Sequence, residues 1–471
     1  MFPNPARATA TLVVVAALGV APPHAGGQQT PSPVPAEGKP AADAPPQAAK
    51  PPHPAPGPGP ATSTATAPAT APATAPASQP TTVDVRAHGA KGDGVTDDTE
   101  AFRVALAAVA GTAGVVAVPA GDYLIKTHLE VPPGVTLAGS WRAPAAKPQR
   151  LGTTLLAVAG AGAETGAPFI SLGANAALRG VAVFYPEQKA DKITPYPWCV
   201  AAAGENVAVF DCLLVNPYQG LDLASKPSGR HYVRNLFGQP LRRGISVDKC
   251  FDVGRIENVH FGPFWNWEDK VQSWQTANGE AFTFARSDWE YVQNTFCYGY
   301  RVGYRFIKSA DGATNGNLLG VGADATHTAV SVEATQGPAL LIGNGQFVSF
   351  TGDKPTHVVV GEGHGGVVQF QNCAFWGLSH QVARLAGTGT VSFSNCNFIE
   401  WSSGVPAIDL SGGNLIVTGS VFQKPFPQAV LQNKAESAVI TSNRFAGPAS
   451  IANPANAALQ AGLNAEKKPA Q

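Results

Sequence analysis

The sequence predicts an all-β chain wound as a β-solenoid, and three observations carry that reading. Val368-Gln-Phe-Gln-Asn-Cys-Ala-Phe375 recurs as Val391-Ser-Phe-Ser-Asn-Cys-Asn-Phe398, then more weakly as Ile416–Phe422 and Val439–Phe445, so the terminal phenylalanines fall 23, 24 and 23 residues apart. A fixed period in that range means stacked units burying one continuous core. Each unit also holds short alternating β-branched runs between glycine turns, with no room for a helix. Thirdly, a second run keeps step with the first: Val358–Val360, Val382–Leu385, Ala407–Leu410 and Ala429–Leu431.

The same two-part rhythm extends upstream. Val207–Leu214 precedes Gly220-Leu-Asp-Leu223, Tyr232–Phe237 precedes Gly244-Ile-Ser-Val-Asp248, and Tyr291–Phe296 precedes Gly303-Tyr-Arg-Phe306. Stacked coils align equivalent residues in ladders about 4.8 Å apart. Asn372 with Asn395 and Cys373 with Cys396 are therefore expected in register, as a turn ladder and a buried thiol stack. The other four cysteines pair by no visible rule, so no disulfide is assigned.

Composition is uneven along the chain. Of 41 prolines in the 471 residues, 20 lie before residue 81. Residues 1–25, with Arg7 before the apolar run Ala10–Ala21, read as a signal peptide, and imply a secreted, periplasmic or cell-surface protein. Residues 26–80 are Pro/Ala/Thr-rich and read as an extended spacer. Residues 81–471 are expected to form one elongated domain. With 32 basic and 32 acidic side chains, the chain lacks the basic excess of a nucleic-acid or anionic-membrane binder. Beyond the leader no run of about 18 apolar residues occurs, so no membrane span is expected.

The folded part opens with Val83 and Val85 in a short strand. Asp97 and Glu100 then form a capping-box-like start to an amphipathic helix carrying Phe102, Leu106 and Val109. Asp93, Asp97 and Asp98 read as turn and cap residues in preference to a metal cluster. Ala90-Lys-Gly-Asp-Gly-Val-Thr-Asp-Asp-Thr99 and Pro119-Ala-Gly-Asp-Tyr123 resemble the N-terminal signature of the pectate-lyase-like superfamily, related to rhamnogalacturonases, polygalacturonases and phage tailspikes. The resemblance implies a single-stranded right-handed parallel β-helix with an N-terminal capping helix. It covers about 40 residues and spans many activities. Gly363-His-Gly365 resembles the polygalacturonase histidine motif, but the paired aspartates that should precede it are absent. It reads as a turn between coils.

Function is sought where the repeat is interrupted. One departure runs from Phe184 through Glu187 to Trp198. The other begins at Phe261 and stretches the spacing between second runs from 24 residues (Leu221 to Ile245) to 37 (Ile245 to Phe282). Trp265, Trp267, Trp274 and Trp289 fall within it, four of the chain's eight tryptophans. They read either as sugar-stacking platforms or as plugs against the coils. In the repeat, Asp222, Ser246, Thr283 and Arg305 share one outward row, with Asp248 just beyond it.

These residues lead to a polysaccharide hydrolase. Glycoside hydrolysis needs two carboxyls, one acid and one base or nucleophile. Asp248 and Asp288 are the expected pair, with Glu280 or Glu187 as substitutes. Arg286 and Arg255 would hold substrate, and Trp265, Trp267 and Trp289 would supply platforms. No metal ligand is assigned and hydrolysis requires no cofactor. The alternatives are a lyase acting by β-elimination on a uronic-acid polymer, with Ca²⁺ or an arginine neutralising the substrate carboxylate, and a non-catalytic polysaccharide-binding adhesin. A homotrimer is compatible with the repeated lateral surface, though nothing in the chain demands one.

Overall fold

A computed structural model describes residues 81–144 and 150–467; the expected signal segment and proline-rich spacer lie outside the described residues. Among the described residues, 38 strands, two α-helices and one 3-10 turn follow one another. The strands pair in parallel, each with its counterparts one coil before and one coil after. Thus Gln219–Leu223, Arg243–Val247, Glu280–Phe284 and Val302–Phe306 stack in order. Tyr232–Gly238 lies between Ala208–Leu214 and Arg255–Phe261 in a second stack. The result is a parallel β-helix.

Each coil has three faces, one more than the sequence rhythm shows. The long strands Ala208–Leu214, Tyr232–Gly238 and Arg255–Phe261 each turn a corner at one residue: Asp211 (φ 52°), Asn235 (φ 54°) and Asn258 (φ 51°). Asn and Asp tolerate this left-handed conformation better than other side-chain-bearing residues. The Asn258 amide donates to Asn235 Oδ1 and the Asn235 amide to Asp211 Oδ1, both at 2.7 Å, so the corner forms its own ladder. Asn372 and Asn395 take the same conformation.

The interior is filled by in-register rows. Phe375, Phe398, Phe422 and Phe445 align coil by coil, as their spacing predicts. Phe347, Phe375 and Phe398 stack with ring centroids 5.5 Å apart at each step. Cys373 and Cys396 are buried, and all six cysteines are unpaired thiols.

Helix α1 (Thr99–Ala108) buries Phe102, Ala105 and Leu106 and lies against the strands Thr82–Asp84 and Leu129–Val131. The expected capping box does not form. The N-cap residue is Asp98, whose carboxylate instead accepts N–H bonds from Lys91 (2.6 Å) and Gly92 (3.0 Å). Asp97 accepts from Thr99, and Asp93 from Val95 and Thr96, so all three acids serve backbone turns. Those bonds hold the Asp93 carboxyl down at about 2.

One core residue is at odds with its surroundings. His357 is fully buried beside Phe375 (5.8 Å), and neither ring nitrogen has a hydrogen-bond partner among the described residues. Burial pushes its imidazole down to about 3, so the ring stays neutral in the fold. An unfolded histidine protonates near 6.5. Below that pH the unfolded chain takes up a proton that the folded chain refuses, and stability falls by up to about 1.4 kcal/mol per pH unit until about pH 3. His357→Leu is expected to raise stability by about 1–3 kcal/mol at pH 7 and to flatten the slope between pH 6 and 4. Urea midpoints at those pH values measure both, and an undiminished slope in the variant contradicts this reading.

Candidate functional site

The second large interruption is an insertion between the strands Arg255–Phe261 and Glu280–Phe284. It contains helix α2 (Asp269–Asn278), which buries Val271 and Gln275. Gln239 anchors it: its Oε1 accepts from Trp265 N and Asn266 N, and its Nε2 donates to Asn266 O and Gln275 Oε1. Trp274 packs on Tyr218 at 5.8 Å.

A groove of about 290 Å³ runs over the neighbouring sheet. Three outward rows line it. The first contains Trp198, Arg243 and Glu280, the second Asp222, Ser246, Thr283 and Arg305, and the third Ala224, Asp248, Ala285 and Ile307. The second row is the one the repeat predicts. Asp222 pairs across the strands with Ser246, and Asp248 stands two residues further along that strand's path. With strands about 4.8 Å apart and a rise of about 3.3 Å per residue, the Asp222 and Asp248 Cα atoms are about 8 Å apart.

Both carboxylates are oriented through one oxygen. Asp222 Oδ1 accepts from Ala224 N (2.8 Å) and Ser225 N (3.0 Å). Asp248 Oδ1 accepts from Lys249 N (2.8 Å), Arg286 N (2.9 Å) and Ser309 Oγ (3.0 Å). The second oxygen of each has no hydrogen-bond partner among the described residues.

Glu280 is 6% exposed and sits between guanidiniums, with Arg305 Nη1 at 3.2 Å and Arg242 Nη1 at 3.7 Å. Arg305 also grips Glu333 (2.7 Å), and Arg243 grips Glu164 (3.0 Å). Burial works against the Arg305 charge, but Glu333 and Glu280 outweigh it and raise its pKa. Among the described residues Arg242 commits only Nη1, to Glu280 and to Asn278 O (2.9 Å), which leaves its other guanidinium nitrogens to receive a ligand.

The other expected site residues are dispersed. Asp288 does not line the groove. Arg286 Nη2 holds its Oδ2 (2.8 Å) and Gln336 holds its Oδ1 (2.7 Å), so it reaches Asp248 only through Arg286. A register shift between Ser287 and Glu290 turns the strand there. Trp289 takes φ 55° in that shift and is left 59% exposed. Trp265 lines a separate depression with Arg150, Phe184 and Phe264, and Trp267 packs on Tyr298 at 5.3 Å. Arg255 is exposed on a different sheet, in register with Tyr232 and Tyr291. Glu187 lies in a turn before the strand Trp198–Ala202 and does not line the groove. His364 of the Gly363–Gly365 turn is buried and contacts Thr335 Oγ1 at 3.2 Å.

Sequence reasoning placed Asp222 in the outward row without pairing it with Asp248, and it did not place Trp198, Arg242 and Arg243 on the groove walls. It also missed Asp324. That carboxyl lies in a larger cleft of about 510 Å³ on another face, with Phe296 and Trp376, and burial raises its pKa. Among the described residues this cleft is lined by a single carboxyl, whereas the smaller groove gathers three carboxylates and three guanidiniums. The smaller groove is therefore the stronger candidate.

Comparisons with known proteins bear on the scaffold. Residues 82–188 match the family model described as rhamnogalacturonase A/epimerase, pectate lyase-like; the match ends before the groove residues begin. The N-terminal fragment of bacteriophage Phi29 gene product 12 is similar in structure, with a TM-score of 0.52 and 14% identity over 81% of this chain and 72% of that one. The A-module of the Azotobacter vinelandii mannuronan C-5 epimerase AlgE6 aligns with a TM-score of 0.49 and 14% identity over 82% of this chain and 100% of that one. A curated Penicillium expansum protein, described as non-secreted LysM effector LysM19, is 49% identical over 57 residues. That match covers 12% of this chain and 4% of the relative's length.

Proposed function

We propose that this β-helix of the pectate-lyase-like superfamily is a carbohydrate-active enzyme that hydrolyses an acidic polysaccharide in the groove beside α2. The observation that carries the proposal is the placement of Asp222 and Asp248 on adjacent coils, about 8 Å apart at Cα, each with one oxygen fixed and one uncommitted. Inverting glycosidases keep their two carboxyl groups about 6.5–9.5 Å apart, leaving room for the attacking water, and two outward side chains on Cα atoms at this spacing are within reach of that range. In this reading one of the pair protonates the departing glycosidic oxygen and the other takes a proton from that water. Asp222 fills the place expected for Asp288.

The substrate class follows from the walls. Arg242 has guanidinium nitrogens to spare, and Arg243 and Arg305 line the same groove, an arrangement suited to substrate carboxylates. Half-buried Trp198 offers a ring face at one end. The matched family's description, which names a rhamnogalacturonase and an epimerase, supports a polymer containing uronic acid.

The arginines also favour a second reading, β-elimination, in which a cation neutralises the uronate while a base takes the C5 proton. A Ca²⁺-dependent form needs about six to eight oxygen ligands. Among the described residues, no three acidic side chains of the groove converge on one point. The Ca²⁺-dependent form therefore has the weaker support, and the assay for unsaturated ends separates hydrolysis from an arginine-assisted elimination.

The test is a panel of neutral and uronic-acid polysaccharides assayed for reducing ends and for ultraviolet-absorbing unsaturated ends. Reducing ends from uronate polymers alone, without unsaturation, are expected. Binding without release from any polymer would leave an adhesin as the better description.

A further inference from the structure

Away from the groove opening, three successive coils bring His231, Cys250 and Glu290 together beneath the surface, the first two from the segments before a strand and Glu290 from within the strand Ser287–Gln293. All three are buried, and one ligand atom from each lies within 4.8 Å of the others. Among the described residues this is the one such group. We propose that it is a structural site for a thiophilic divalent cation of the Zn²⁺ class, bound by His231 Nε2, Cys250 Sγ and a Glu290 carboxylate oxygen.

The surroundings are those of a ligating set. His231 Nδ1 lies 2.9 Å from Ser228 O, and a carbonyl only accepts, so Nδ1 carries a hydrogen and Nε2 faces the cluster. Metal-bound histidines are oriented in this way by a carbonyl or carboxylate behind the ring. Ser287 Oγ donates to Glu290 Oε2 at 2.5 Å, orienting the carboxylate from the other side. Room is kept at Gly254, where a Cβ would stand 2.4 Å from Glu290 Oε2 and 2.5 Å from the His231 ring.

A histidine–glutamate pair alone does not account for the cluster. Nε2 and Glu290 Oε1 hydrogen-bond at 2.9 Å, but the Cys250 thiol faces the same space and donates to Asp252 O (2.6 Å) in its own turn. A buried ion pair adds little stability on its own. A cation held by imidazole, thiolate and carboxylate satisfies all three groups, with a fourth position left for one further ligand. Binding would release the thiol proton and the proton held between His231 and Glu290. The entry side is the turn carrying exposed Phe251 and Asp252, which Arg230 bridges to Glu205. Bound metal would tie down the segment that follows Asp248 and so stiffen the groove's edge. The proposal does not depend on the groove being catalytic.

Co²⁺ is the probe. The full chain, stripped with chelator, is titrated with Co²⁺ and read by absorption. One equivalent should give a near-ultraviolet thiolate-to-cobalt band and tetrahedral d–d bands, both erased by Zn²⁺. Cys250→Ser should abolish the thiolate band, although five other cysteines remain. Glu290→Gln should keep that band while weakening Co²⁺ binding at least 10-fold, and it serves alone if Cys250→Ser fails to fold. A folded wild-type chain without a thiolate band overturns the proposal, as does a band unchanged in Cys250→Ser or undiminished affinity in Glu290→Gln.

Discussion

Asp248→Asn is expected to lower turnover on the cleaved polysaccharide by about 10²–10⁴-fold, the range for loss of a general acid or base. The substitution is close to a pure chemical change. An asparagine Oδ1 still accepts the N–H bonds of Lys249 and Arg286 and the Ser309 hydroxyl, so the turn at the end of the strand Arg243–Val247 should persist. Asp222→Asn preserves its two turn bonds in the same way, and a comparable loss is expected. Residues acting as a unit are non-additive, so the double variant should fall little below either single one. Asp288→Asn should cost less, since Asp288 reaches the groove only through Arg286. Initial rates together with urea midpoints separate lost chemistry from lost folding. A fully active, folded Asp248→Asn chain would remove Asp248 from the mechanism.

Phe375→Ala is expected to cost about 3–5 kcal/mol of stability, the range for truncating a buried aromatic. The ring has no exposed surface and stacks on Phe347 and Phe398 at 5.5 Å each, with Phe370 and Phe393 edge-on at 5.7 and 5.8 Å. A rigid ladder of this kind cannot collapse into the space left behind. In a solenoid each coil is stabilised by its neighbours, so the loss should also loosen the coils beyond Phe398. Chemical denaturation gives the cost, and amide exchange along the chain shows whether protection drops there first. A loss under about 1 kcal/mol would mean the ladder is not what holds these coils.

These two expectations differ in how far the sequence disclosed them. The ladder was legible because buried positions repeat strictly: the 23–24-residue spacing of Phe375, Phe398, Phe422 and Phe445 is the length of a coil. The third face was not legible. A single left-handed Asp211, Asn235 or Asn258 turns the corner inside one continuous strand, and its only trace in the sequence is one extra outward residue between core positions (Val209 to Cys212, Val233 to Leu236, Ile256 to Val259), so two faces read as one run. The outward row Asp222–Ser246–Thr283–Arg305 was legible for the same reason as the core: register carries it. Asp288 and Trp289 were misplaced because the register shift at Ser287–Glu290 and the left-handed Trp289 turn that segment off the row. Tryptophan clustering in sequence likewise says little about a common surface. Trp265, Trp267, Trp274 and Trp289 belong to one insertion and the strand after it, yet they have separate neighbours. The His231–Cys250–Glu290 group was invisible because its members come from three coils and share no motif.

The stereochemistry of cleavage tests the central claim most directly. With uronate polymers offered as substrate, proton NMR of the first products should show new reducing ends of inverted anomeric configuration and no unsaturated sugar, the outcome expected of an Asp222–Asp248 pair that leaves room for a water between its carboxyls. Products that retain the anomeric configuration, or that carry a C4–C5 double bond, would contradict it.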